Sequence, residues 1–79
     1  MSTIAIERRP TAVGVTFTPD EMVVALADGR RLCVPLAWFP LLATAQPGQL
    51  NNYRLLGSGE GIHWPDLDED LSVAGLLQP

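Results

Sequence analysis

The chain has no lysine, a single cysteine, a single histidine and no long apolar run. Each shortage excludes something. Its cations are five arginines against nine carboxylates, for a net charge of -4. Affinity for nucleic acid depends on clustered cations that displace counterions, so no direct nucleic-acid partner is expected. Arg8, Arg9, Arg30 and Arg31 read as solvated strand ends. Cys33 alone forms no internal disulfide and suits a reducing cytoplasm. No stretch approaches the roughly 20 apolar residues that cross a bilayer. The opening "MSTIAIERRP" lacks the basic start and apolar stretch of a signal peptide. The expectation is a cytoplasmic protein with no membrane partner.

What remains is material for one small domain over residues 1–79. An apolar fraction of 47% with 18% charged residues suits a globular chain. At this size folding buries about 60% of the extended chain's surface, which allows a thin core and little room for a large cofactor.

Residues 12–36 alternate with period two. Val13, Val15 and Phe17 share a face, as do Met22, Val24 and Leu26, and Leu32, Val34 and Leu36. A loop of Thr18, Pro19, Asp20 and Glu21 pairs Phe17 with Met22 and Val15 with Val24. At Asp28–Gly29 a two-residue turn would set Val24 against Cys33 and split the apolar face. A loop of Ala27, Asp28 and Gly29, with Gly29 left-handed in a bulge, sets Val24 against Leu32 and Met22 against Val34. The bulged turn is therefore expected.

In "PLAWFPLLATAQPG", Trp38, Leu41, Leu42 and Ala45 fall at helical spacing. Pro40 is tolerated in a first turn, and Pro47–Gly48 should end the helix. The fold class is thus α+β. It comprises an antiparallel meander (about 12–18, 22–27 and 30–35) and a short helix (about 37–45) across its apolar face. A second hairpin (about 52–57 and 61–65) and a short C-terminal helix or turn (about 72–77) follow, with Ser72 as N-cap.

Three stretches invite a functional reading. "GSGEG" resembles a phosphate loop, but a strand follows it, no Gly-Lys-Ser/Thr is present and Glu60 would repel phosphate, so a hairpin turn is expected. Asp66, Asp68 and Asp70 alternate like calcium ligands, yet the glycine and glutamate that a calcium loop requires are replaced by Leu71 and Leu77. Cys33 lies in a strand on the face opposite the inferred core, with nothing in sequence to activate it.

The block "GIHWPDLDEDL" holds His63, Trp64, Asp66, Asp68, Glu69 and Asp70, a candidate interaction or structural cluster. Trp64 and Leu67 should seal a core edge, while Pro65 ends the strand. The carboxylates should accept turn amides or sit at the N-terminus of the last helix, with His63 donating to one of them. No catalytic, cofactor or metal role is assigned to these residues.

Two segments, "ALADGRRLCVPLAWFPLLATA" and "GIHWPDLDEDLSVAGLL", resemble the bacterial domain-of-unknown-function family 2442. The shared features are DGR, VPL-WFP-L-A and G-IHWP-LDEDLSV-GLL, at matching spacing. The resemblance implies a small α+β protein, alone or fused ahead of a helix-turn-helix domain, and sometimes set in a gene pair of toxin–antitoxin type. It implies no enzymatic activity. Leu41 departs from the family pattern, where many members carry arginine, and points to more apolar contact at that helix.

The functional expectation is a non-enzymatic protein-interaction module, antitoxin-like or regulatory, whose acids meet a small basic partner encoded nearby. The alternative is a homodimeric scaffolding domain using Val23, Ala25, Ala27 and Cys33. A metal-dependent enzyme built on His63 and its acidic neighbours ranks third.

Overall fold

A computed structural model describes residues 10–77. Among them the chain forms two three-stranded antiparallel sheets with short helices, an α+β arrangement. The first sheet is a meander of β1 (Ala12–Phe17), β2 (Glu21–Leu26) and β3 (Arg31–Pro35). A 3-10 turn (Leu36–Trp38), α1 (Pro40–Ala43) and α2 (Pro47–Asn51) lead to the second sheet. That sheet consists of β4 (Arg54–Leu56), β5 (Gly61–Trp64) and β6 (Glu69–Ser72), and α3 (Val73–Leu76) follows. No helix among the described residues is long and apolar enough to cross a membrane.

The meander has the register that the apolar pattern requires. Phe17 lies opposite Met22 and Val15 opposite Val24. Val24 lies opposite Leu32, and Met22 opposite Val34. In the first turn Pro19 cannot take the positive φ of the tightest hairpins. The Thr18 hydroxyl closes the loop instead, accepting the Glu21 amide at 2.9 Å. In the second turn the Gly29 amide donates to Leu26 O, and Gly29 sits at φ 95°, the expected left-handed glycine.

One strand departs from simple alternation. Ala12 pairs with Leu26 but Gly14 pairs with Ala25, so Val13 is an extra residue in β1. This bulge turns Val13 out, 62% exposed, and puts Ala12 into the core beside Val15. The cause lies in the second sheet. The Ala12 amide donates to Gly59 O at 2.7 Å, and a Cβ on Gly59 would stand 2.3 Å from Ala12 O. Only a glycine in the β4–β5 turn permits that approach.

The expected helix over 37–45 is two separate turns. Proline disfavours helical geometry in the residue before it, and Phe39 sits at φ -129°, ψ 87°. The chain breaks there, and Pro40 starts α1 in its first turn. The stripe read from sequence is broken with it. Leu42 is buried, whereas Trp38 and Leu41 are exposed. Pro47 likewise begins α2, where its missing amide costs nothing, instead of ending a helix. The Gln49 side chain reaches back to accept the Gln46 amide at 2.9 Å.

The hairpin of β4 and β5 lies where expected, with Gly57 and Gly59 at positive φ in its turn. A third strand, β6, was not anticipated. Residues 69–72 pair with β5, so Glu69 and Asp70 belong to a sheet and not to the N-terminus of the last helix. Ser72 does cap α3, its hydroxyl accepting the Gly75 amide at 3.1 Å. One core joins the two sheets, with Met22, Val24, Leu42, Ile62, Trp64 and Val73 fully buried.

Candidate functional site

The side chains of the block from His63 to Asp70 diverge, because strand alternation separates them. On β5, Ile62 and Trp64 point into the core while His63 points away. Trp64 is completely buried, which corrects its expected place at the core edge. Its indole N–H donates to Leu50 O at 3.0 Å, tying β5 to α2. Phe17 meets it edge-on, with ring centroids 6.5 Å apart, tying β5 to β1. Leu67 is half-buried against the same core.

His63 lies between Arg54 on β4 and Asp70 on β6, as three strands place one residue each in a cross-strand row. The His63 Nδ1 and Asp70 Oδ1 are hydrogen-bonded. Asp70 is therefore the carboxylate that partners His63, on a face that leaves both accessible. Such opposed polar pairs on an outer sheet face hold register and contribute roughly 0.2–1 kcal/mol.

The remaining acids have separate duties. Asp66 accepts the Asn52 side-chain amide at 3.0 Å, linking the β5–β6 turn to the segment before β4. Asp68 occupies the left-handed region at φ 52° and closes that same turn, a conformation Asp tolerates better than most residues. Glu69 lies opposite Trp64 and is half-buried. The expectation that these acids accept turn amides is thus replaced by side-chain partners for Asp66 and Asp70. Among the described residues, no group of three or more His, Cys, Asp or Glu side chains converges in a way that could hold a metal ion.

Cys33 is exposed on the face away from the core, as its strand position required. Among the described residues Arg30 bonds through its side chain within its own turn, to Asp28. Its amide donates to Asp28 Oδ1 at 3.0 Å and its Nε to Oδ2 at 2.7 Å. The Arg30 amide is the main reason the Asp28 carboxyl is held below its ordinary range, with the guanidinium assisting and slight desolvation opposing. Arg8 and Arg9 lie outside the described residues.

Sequence reasoning missed the feature most open to a partner. Trp38 is 69% exposed and Leu41 is 50% exposed, both on the short connection between the sheets. The same connection walls a groove of about 380 Å³ with Leu36, Leu42, Ala45 and Leu50, closed on the far side by Phe17 and Pro19. The signal was present in Pro40, which forces a break between two residues placed on one helical stripe.

Residues 12–79 match the model of a family described as "Protein of unknown function (DUF2442)". The chain belongs to this family. Two solved structures share the fold of this DUF2442 chain. A protein of unknown function from Rhodospirillum rubrum is 32% identical with a TM-score of 0.76, and the match covers 89% of this chain and 87% of that one. An uncharacterised protein from Chromobacterium violaceum, solved by NMR, is 30% identical with a TM-score of 0.72. That match covers 85% of this chain and 63% of the Chromobacterium chain, so the DUF2442 fold accounts for under two thirds of its length. No curated protein matches this chain.

Proposed function

We propose that this DUF2442 chain is a non-catalytic protein-interaction module working in the cytoplasm. One observation carries the reading, the exposure of Trp38 beside that of Leu41. A domain this small has few large apolar groups, and placing an indole in water forgoes a sizeable share of its core. Tryptophan is the residue type most concentrated at the centres of protein interfaces, where it fills a partner's pocket and is sealed from water. The groove beside α1 offers the reciprocal pocket.

The partner is a protein, not nucleic acid or a membrane, since the chain lacks lysine and carries a net charge of -4. Exposed Asp66, Asp68 and Asp70 suit a small basic protein encoded nearby, with this chain as the antitoxin-like or regulatory half of the pair. The competing enzymatic reading, metal-dependent chemistry at His63, has weaker support, because His63 engages one carboxylate on an accessible sheet face.

The test is to purify the chain from its native host, identify any protein that co-elutes in stoichiometric amount, and titrate the two purified components. A basic partner that binds wild type but binds Trp38→Ser at least about tenfold more weakly, with circular dichroism unchanged, supports the reading. A chain that elutes alone at low salt sinks it.

A further inference from the structure

The two outer strands of the first sheet treat their free edges differently. On β1 two of the outward amides are satisfied by the second half of the chain. Ala12 donates to Gly59 O at 2.7 Å, and Val15 donates to the Tyr53 hydroxyl at 3.0 Å. On β3 the pattern can be read from its ends. Leu26 donates to Arg30 O and Leu36 donates to Asp20 O, so the even-numbered residues of this segment bond toward β2. The backbone groups of Arg31, Cys33 and Pro35 therefore point outward. Among the described residues no hydrogen bond meets them, and Arg31 and Cys33 are exposed.

We propose that this edge pairs antiparallel with the same edge of a second copy, about a two-fold axis at Cys33. The two meanders then form one continuous sheet. Cys33 exchanges both of its backbone hydrogen bonds with Cys33 of the other copy, and each Arg31 amide donates to the opposite Pro35 carbonyl. Pro35 has no amide to return, so the ladder stops there. On the core side, Leu32 meets Val34 of the second copy, apolar against apolar.

Charge selects this register and this occupant. Within one chain Arg31 pairs with Ala25 while Glu21 pairs with Pro35, at opposite ends of the β2–β3 ladder. Neither side chain has an ion-pair partner among the described residues. In the paired edge, Arg31 lies across Pro35 of the second copy, and Glu21 of that copy is next in the same row. Two strand spacings separate them, about 10 Å between backbones, which both side chains can span over the short proline ring. The axis repeats the contact, so two free arginines meet two free glutamates. Shifting the axis to Leu32 would instead set Arg31 beside Cys33 and Val23, an apolar row. With so few outward groups the interface is small, and the dimer is reversible and concentration-dependent. It uses a different surface from Trp38 and Leu41, so either proposal can fail without the other.

Sedimentation equilibrium of the full chain in reducing, low-salt buffer tests the pairing. The expected result is a monomer–dimer equilibrium that Arg31→Glu or Glu21→Arg weakens by about tenfold or more. The double exchange restores it, because the two residues are neighbours only between copies. A second readout uses the wild-type chain alone. Opposed residues at a hydrogen-bonded antiparallel pair stand about 5.5 Å apart at Cα, within the range a disulfide spans. Copper–phenanthroline should therefore join Cys33 to Cys33 faster than it joins the exposed turn thiol of a Cys33→Ser/Ser58→Cys chain. A strict monomer at millimolar concentration overturns the proposal. So does a double exchange that stays monomeric while folded, or a Cys33 cross-link no faster than the turn control.

Discussion

Gly59 is a residue at which the two halves of the chain meet backbone to backbone. At φ 100°, with its missing Cβ directed at the Ala12 carbonyl, it has no tolerable replacement among L residues. Gly59→Ala adds backbone strain of about 1–3 kcal/mol and a clash with backbone that cannot rotate away. The expected outcome is loss of cooperative thermal unfolding, or a melting temperature lowered by more than 10 °C. Gly48, with open space around its Cβ position and no positive φ, is the control. Asp28 acts through charge. Its carboxyl is lowered in the folded state, so its contribution is present above the usual carboxylate range and is lost as pH falls through the folded value. Asp28→Asn should therefore melt below wild type at pH 6, with the gap narrowing as pH falls below the usual carboxylate range, as read by calorimetry.

Among the elements, β1 offers the sharpest contrast. Strict alternation puts Val13 and Val15 on one face; the bulge places only Val15 inside. Val13→Asp should change stability by about 0.5 kcal/mol or less, while Val15→Asp buries an unpaired carboxylate and should abolish folding. Urea titration of the pair distinguishes the bulged strand from a regular one. The same strand marks what was legible in sequence. Wherever register is decided by which face is apolar, as at the Phe17–Met22 and Val24–Leu32 pairs, the pattern of residues suffices. The bulge arises from Gly59, distant in sequence, and no local pattern contains it. Strand β6 was hidden for another reason. "EDLS" has poor strand propensity, and only pairing with Ile62 and Trp64 makes it one. Within the cluster around His63 only a histidine–carboxylate contact was legible, and its partner, Asp70, became assignable once β6 was in place. Helix α2 and the break at Phe39 were written in two prolines whose role as helix starts, not stops, depends on the residues beside them.

Across the whole molecule, Trp64 does the joining. Buried completely, bonded to α2 and edge-on to Phe17, it connects both sheets and the helical connection. Trp64→Ala should cost about 3–5 kcal/mol, comparable with the total stability of so small a domain, and leave the chain unfolded. Trp64→Phe keeps an aromatic ring but strands the Leu50 carbonyl, at about 1–3 kcal/mol. Its emission then comes from Trp38 alone. A red-shifted, readily quenched spectrum from the folded variant is expected, and a blue-shifted one would contradict the exposure of Trp38.

The hydrogen bonds from β1 to Tyr53 and Gly59 also bear on how the chain is born. A ribosome delivers the meander first, complete in its turns, yet with the amides of Ala12 and Val15 still unmatched and its apolar side still wet. At the usual pace of synthesis those defects persist for seconds, until the second hairpin emerges and folds back to cover them. During that interval the nascent protein has two sticky borders instead of one, and crowding among neighbouring nascent chains is the hazard its C-terminal half removes.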